Sequence, residues 1–160
     1  MPNGYLSPTT LLRMDILDKE QMKASLSALG ADTVPLWGKM KPQQMVEHVI
    51  ESLEYTNGKK VCDCDRPAEE AEAAKQLRLH PDFVIPQNVN LGPLPESYRF
   101  ASLDKASKQL LQELDDFDGY FNAHGVKSVH FAFGPMDREE WLIWHGKHFS
   151  HHFRQFGLLT

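Results

Sequence analysis

The chain has 160 residues, a formal net charge of -5 at neutral pH and 41% hydrophobic residues. A chain of this size and composition is most simply one globular domain, covering residues 1–160, with enough apolar residues for a single core. The negative charge and the lack of a basic cluster argue against nucleic acid or an anionic membrane as the main partner. No apolar run reaches the ~20 residues that cross a bilayer, and the N-terminus lacks the features of a signal peptide, so we expect a cytoplasmic protein.

The first half of the chain predicts three helices. After an N-terminal arm or loop over about the first ten residues, Asp18 begins a capping-box pattern ahead of a short amphipathic helix that stops at Gly30. Pro42 suits the first position of a second helix, which ends near Asn57. The alanine-rich stretch Ala68 to Leu79 has high helix propensity and predicts the third.

Two connecting stretches between these helices and the rest of the chain read as loops. Residues 59–67 are polar and contain Cys62 and Cys64, the chain's two cysteines. A Cys-x-Cys pair is too sparse for a structural zinc site with closed coordination, so we interpret these residues as reduced thiols, with a thiolate contribution to a metal or redox site as the alternative. Residues 81–95 hold four prolines and predict an extended loop over the helices.

The second half predicts two further helices. Ser102 caps a helix with a continuous apolar stripe that ends near His124. Residues 126–134 show a weak strand-like alternation, which we interpret instead as an aromatic loop. Asp137 then starts a capping box for the last helix, from about Arg138 to Phe156. Four principal helices with one extra short helix predict an all-α bundle, because each amphipathic face needs a partner.

Histidines on the last helix are the clearest chemical feature of the sequence. His148 and His152 are four residues apart, so their side chains project from one helix face, as in a two-histidine metal clamp. His145 lies a turn earlier, and His48 lies at the edge of the apolar face of the second helix. Two interpretations follow from spacing alone: a metal site, or partly buried imidazoles that hydrogen-bond to protein groups.

Two segments carry a resemblance to a known family. Residues 37–48 (Trp-Gly-Lys-Met-Lys-Pro-Gln-Gln-Met-Val-Glu-His) and 147–157 (Lys-His-Phe-Ser-His-His-Phe-Arg-Gln-Phe-Gly) resemble the two signature segments of the DinB-like superfamily, in a branch that ends in His-x-x-His-His-x-x-Gln-Phe-Gly. The resemblance spans most of the chain in order and helix count. Lys41 departs from it, because a threonine or serine cap is usual before this proline.

The resemblance implies a four-helix bundle of DinB-like type with one metal ion. Its ligands would be His48, His148 and His152, and Gln155 would support a ligand or face the cavity. Three neutral histidines leave a divalent ion with its full charge and an open position, and zinc or nickel fits such ligands best.

Characterised DinB-like proteins include metal-dependent enzymes that use a small thiol. We therefore expect an enzyme in which a metal-bound thiolate or water attacks a small electrophilic substrate, as a thiol transferase or a hydrolase. The candidates for proton handling are His145, His151, Tyr55 and Glu47, each with an alternative structural role.

Two alternatives to the enzyme stay open. One is a non-enzymatic metal-binding or stress-associated module, and the other is a bundle whose histidines are packed and hydrogen-bonded without metal. A homodimer is expected only from the frequency of symmetric dimers.

Overall fold

The computed structural model describes residues 13–89 and 92–159, and the predicted N-terminal arm lies outside them. Within these ranges the chain is mostly helical, as predicted, with one small antiparallel sheet. The elements in chain order are α1 (Lys19–Ala28), α2 (Pro42–Glu54), α3 (Ala68–Leu79), α4 (Leu103–Tyr120), β1 (Ser128–His130), β2 (Gly134–Met136) and α5 (Arg138–Gln155). None of the helices in these ranges is long and apolar enough to cross a membrane. The four-helix bundle of DinB-like type stays a prediction.

Helix starts follow local side-chain chemistry. The side chains of Asp18, Ser102 and Asp137 each accept a hydrogen bond from the backbone N–H three residues later, at 3.1, 3.2 and 2.9 Å. These bonds satisfy N–H groups that have no partner inside the helix. At the start of α2, Lys41 has no acceptor, and its own N–H instead donates to Gln44 Oε1 at 2.8 Å. That bond satisfies the N–H of Lys41, but no side chain caps the first turn of α2 as a serine or threonine would.

The core lies between the helices, and α2 packs mainly against α4. α1 also contacts α4, while α3 contacts α5 and β2. Side chains with no more than 2% exposure fill the centre, among them Met45, Val49, Ile50, Leu53, Leu110, Leu114, Phe117, Phe149 and Phe153. Because Phe149 and Phe153 on α5 are committed to this core, His148 and His152, one position before each, lie on the neighbouring face of the helix. Burial of the aromatic stripe thus fixes the direction of the two histidines.

Residues 126–134 are not the loop that we predicted, because part of this stretch forms the first strand and turn of a β-hairpin. The paired residues are Ser128 with Met136, Val129 with Pro135, and His130 with Gly134. The turn is closed by a side chain: His130 Nδ1 accepts from the backbone N–H groups of Ala132 and Phe133, at 3.1 and 3.2 Å. Gly134 has a φ of 73°, which suits glycine. The weak alternation was therefore a true strand signal, obscured by an unusual turn.

Three helix ends differ slightly from the predictions. α2 ends at Glu54 rather than near Asn57, with Tyr55 as its cap. α4 ends at Tyr120 rather than near His124, and the N–H of Phe121 donates to the carbonyl of Phe117 at 3.3 Å. α5 ends one residue early, with Phe156 as its cap. Differences of this size are common at frayed helix ends.

A close approach holds the N-terminal segment against α5. Met14 N–H donates to Ser150 Oγ at 2.7 Å, and that hydroxyl donates to the carbonyl of Gly146 at 2.6 Å. A Cβ atom on Gly146 would lie 2.7 Å from the carbonyl oxygen of Met14 and 2.5 Å from Cγ of Arg13. Only glycine lets the segment approach the helix this closely.

Candidate metal centre

Three histidines from two helices converge at one point. His148 Nε2 lies 2.9 Å from His48 Nε2 and 3.1 Å from His152 Nε2. One ligand nitrogen from each residue lies within 4.8 Å of the others, so the three side chains could hold a metal ion. With metal–nitrogen bonds of about 2.0–2.1 Å, two ligands of a tetrahedral ion lie roughly 3.3 Å apart. The two distances from His148 Nε2, 2.9 and 3.1 Å, are close to that value.

Gln155 fixes the tautomer of His152. The amide nitrogen of Gln155 donates to the backbone carbonyl of Trp37 at 3.1 Å, so its oxygen must face the other way. That oxygen lies 2.9 Å from His152 Nδ1, which therefore carries the proton. The lone pair of His152 is consequently on Nε2, directed at the other two histidines. The structure places Gln155 as the support for a candidate ligand.

Burial keeps the three imidazoles neutral. It lowers the pKa of His152 to about 3, with a further contribution from His48. It also lowers the pKa of His148 well below its usual range, and the two neighbouring histidines add to this. The pKa of His48 is lowered by burial as well, although the Glu51 carboxylate partly offsets the effect. Neutral imidazole is the form that binds metal ions, so at neutral pH protons do not compete for these ligands.

Hydrogen bonding alone satisfies the cluster poorly. His152 Nε2 carries a lone pair, so a hydrogen bond between these two residues requires His148 Nε2 to donate. The single N–H of His148 Nε2 cannot point well at both His152 and His48. His148 Nδ1 is also buried without a hydrogen-bond partner in the described part of the chain. Unsatisfied buried polar groups cost about 1–3 kcal/mol each. A cation at the centre would accept all three Nε2 lone pairs, so the donor set fits an imidazole-preferring metal.

His145 lies in the core and is not one of the three histidines whose ring nitrogens approach each other. Its side chain has no exposed surface, and Nε2 lies 2.8 Å from Thr56 Oγ1. Its ring stacks on Trp141, with centroids 5.0 Å apart, and burial lowers its pKa to about 3. Because no water or substrate reaches this ring, its position favours a packing role over proton transfer.

Glu47 and Tyr55, two further candidates for proton handling, have structural contacts. Glu47 is buried, and its carboxylate accepts from the backbone N–H groups of Arg99 and Phe100 at 2.9 and 3.0 Å. It thereby ties the segment before α4 to α2. Tyr55 is the C-cap of α2, and the ammonium of Lys60 lies 5.5 Å from its ring centre.

His151 is the candidate that lies beside both the histidine trio and a cavity. Its ring is 5.1 Å from that of His152 and 5.6 Å from that of Trp37, centroid to centroid. It is half-buried and borders a pocket of about 100 Å³. The other residues that line this pocket are Trp37, Phe83, Val84, Ile85, Gln87, Lys147 and Arg154. Sequence reasoning missed the pocket, because three distant segments form it.

The cysteines are not part of the histidine trio. Cys62 Sγ donates to the carbonyl of Val129 at 3.1 Å, and both thiols are free. Burial, together with the nearby Asp63 and Cys64, raises the pKa of Cys62. A thiol with a raised pKa is a poor nucleophile and a poor ligand at neutral pH, which agrees with the interpretation as reduced loop thiols.

A family model described as a protein of unknown function (DUF1569) matches residues 92–157. The match covers less than half of the chain and includes His148, His152 and Gln155, whereas His48 lies outside it. No curated protein and no solved structure matches the chain. The comparisons therefore connect the C-terminal histidine helix to a family without assigning an activity.

Proposed function

We propose that this protein is a metal-dependent enzyme of the DinB-like type, acting as a thiol transferase or a hydrolase on a small electrophilic substrate. His48, His148 and His152 would hold one divalent ion, with zinc or nickel as the best match to three imidazoles. The observation that carries the proposal is the close approach of three neutral imidazoles. His148 Nε2 lies 2.9 Å from His48 Nε2 and 3.1 Å from His152 Nε2.

The ligand set suits catalysis better than a closed structural site. Three neutral ligands leave the full charge on the ion and a position open, so a bound thiol or water would be deprotonated near neutral pH. His48 and His148 are half-buried rather than fully enclosed, which leaves an approach from solvent. A small thiol is the proposed second substrate in the transferase version, and water takes that role in the hydrolase version.

Residues of this chain would position the reaction. Gln155 holds the His152 lone pair toward the ion through the bond to Nδ1. Of the four candidates for proton handling, His151 has the position for it, because it borders both the pocket and His152. Its imidazole would take the proton released by the nucleophile or return one to the product.

A non-enzymatic metal-binding module is the second candidate function. The observation that favours it is that the trio joins α2 to α5, so an ion would also brace the fold. The two functions differ in how much folding depends on the ion. If the ion mainly braces the fold, the protein should unfold when a chelator removes the ion. An enzyme should instead lose turnover with only a modest loss of stability.

The decisive experiment is the metal content of untagged protein by mass spectrometry, for wild type beside His48→Ala and His148→Ala. The exposed His124 provides a matched control variant, His124→Ala. We expect about one zinc or nickel ion per chain in wild type and in the control, and loss of the ion in both trio variants. Wild-type protein that takes up neither zinc nor nickel would overturn the proposal. Circular dichroism of each variant separates loss of a ligand from loss of the fold.

A further inference from the structure

We propose that the pocket beside the histidine trio binds the carboxylate of a small organic acid, with the acid's apolar part packed against the pocket's aromatic wall. This inference rests on the proposed function, because it names the substrate class of the proposed enzyme. The binding itself requires only the pocket and its cations.

Lys147 is the first observation behind the proposal. Its side chain is only 8% exposed, yet it borders the pocket. The ammonium donates to two backbone carbonyls, those of His80 at 2.7 Å and Phe83 at 2.6 Å. Within residues 13–89 and 92–159, no carboxylate lies within 4 Å of this ammonium. A buried cation whose only partners are two neutral carbonyls is costly.

An anion in the pocket would offset that cost. An ammonium has three N–H donors and the two carbonyls use two, so one donor remains for a ligand. The nearest acidic group that acts on Lys147 is Asp82, whose side chain is 85% exposed and therefore screened by water. Asp82 leaves the charge of the Lys147 ammonium largely uncompensated.

The second observation is the positive charge of the side chains that line the pocket. Lys147, His151 and Arg154 occupy successive turns on one stripe of α5, next to the stripe that carries His148 and His152. The lining residues of this pocket include two cationic side chains and no carboxylate. Arg154 is half-buried in the structure. A planar guanidinium matches a carboxylate with two parallel hydrogen bonds.

The third observation is the apolar wall. Trp37, Phe83 and Ile85 line the same pocket, and the Lys147 ammonium lies 5.6 Å from the centre of the Phe83 ring. A volume of about 100 Å³ admits a carboxylate with a short apolar body rather than a large ligand. His151 contacts both Trp37 and His152 and lines the pocket together with Lys147, so it links the pocket to the trio.

The test compares benzoate with benzamide, which has the same shape without the charge, by calorimetric titration of metal-loaded protein. We expect benzoate to bind at least tenfold more tightly than benzamide in wild type. Lys147→Met and Arg154→Gln should each remove that preference, whereas Lys23→Met, at an exposed site on α1, should keep it. Lys147→Met also removes the hydrogen bond to the carbonyl of Phe83 and could unfold that loop. Arg154→Gln keeps that bond, so it tests the pocket independently.

Other outcomes are equally decisive. Equal binding of benzoate and benzamide, or no benzoate binding, overturns the carboxylate pocket. Benzoate binding that persists in Lys147→Met but is lost in His148→Ala also overturns it, because the ion would then hold the anion. If wild type binds no metal but still prefers benzoate through Lys147, the pocket stands while the proposed enzyme fails.

Discussion

The side-chain oxygen of Gln155 lies 2.9 Å from Nδ1 of His152, and its amide nitrogen is held by the carbonyl of Trp37. Because the carbonyl accepts only, the amide has one orientation, and that orientation selects one histidine tautomer. A residue outside the ligand trio thus determines which nitrogen of His152 faces the other two histidines.

Replacing Gln155 should weaken metal binding without removing a ligand. Gln155→Ala is expected to lower zinc affinity about 10–100-fold, because His152 loses the acceptor that orients its ring. Gln155→Glu keeps an acceptor for Nδ1–H and should retain more of the affinity. Competition with a coloured chelator measures the change, and Gln112→Ala at an exposed position on α4 is the control. Equal affinity in Gln155→Ala and wild type would refute the orienting role.

Acid should destabilise the protein before its carboxylates titrate. Burial lowers the pKa of His145 to about 3 and that of His130 to about 4, from 6.5 in an exposed state. The unfolded chain therefore binds more protons below pH 6.5, and the stability present above that pH is lost as pH falls toward the folded pKa values. Each histidine contributes up to roughly 1.4 kcal/mol per pH unit in this window.

Urea unfolding at a series of pH values between neutrality and about pH 5 measures this loss. His130→Gln should flatten the dependence, since one of the buried imidazoles is removed, while His124→Gln at an exposed position should not. A stability that is constant over the whole range would contradict the neutral, buried state of both histidines.

Gly146→Ala should destabilise the fold even though alanine favours helices. Alanine gains about 1 kcal/mol of helix propensity over glycine, but its Cβ would overlap the carbonyl oxygen of Met14 at 2.7 Å. Overpacking against backbone costs about 1–3 kcal/mol, so after the gain in helix propensity we expect a net loss of up to roughly 2 kcal/mol. Gly119→Ala on α4 is the matched control, because nothing lies within 4 Å of its new Cβ. That variant should be neutral or slightly stabilised in thermal unfolding, and equal shifts for both glycines would exclude the overlap.

Glu47→Ala should lower stability and leave metal content unchanged. The substitution strands the backbone N–H groups of Arg99 and Phe100, which lose their carboxylate acceptor. Two unsatisfied groups at about 1–3 kcal/mol each would cost roughly 2–6 kcal/mol if fully buried. Because Arg99 is exposed, water partly replaces the lost acceptor, and we expect a loss in the lower half of that range. Glu51→Ala, one turn later, removes a surface ion pair with Lys60 and strands no backbone N–H group of Arg99 or Phe100, so it should cost about 0–1 kcal/mol. A stable Glu47→Ala protein that lost turnover would instead assign Glu47 to catalysis.

Local chemistry explains why so much of the helical structure was predictable. Asp18 and Asp137 act on N–H groups three residues away, so a helix start is encoded within one turn. The pair His148 and His152 follows from helix geometry in the same way. Their convergence with His48, by contrast, depends on how α2 and α5 are placed. The expectation of a helical bundle suggested it, and the resemblance to DinB-like proteins implied the same three residues.

Features built from distant segments were not predictable from the sequence. The hairpin turn is closed by the His130 ring, which no turn motif encodes. The pocket requires Trp37, Phe83 and Lys147 to meet, although each belongs to a different part of the chain. Lys147 itself looks like an ordinary surface lysine until the two carbonyls that surround its ammonium are known.

The separation of the trio along the chain has a consequence for assembly. His148 and His152 are neighbours in sequence, whereas His48 and His148 are 100 positions apart. An ion bound at the trio would close a loop of that length, so it would remove chain entropy from any unfolded state that kept all three ligands. The C-terminal pair would be able to engage an ion before the fold is complete, and His48 would add its ligand only when α2 docks. Full coordination would therefore report on the correct pairing of the two helices, and a misfolded chain would hold its metal by two ligands and release it readily.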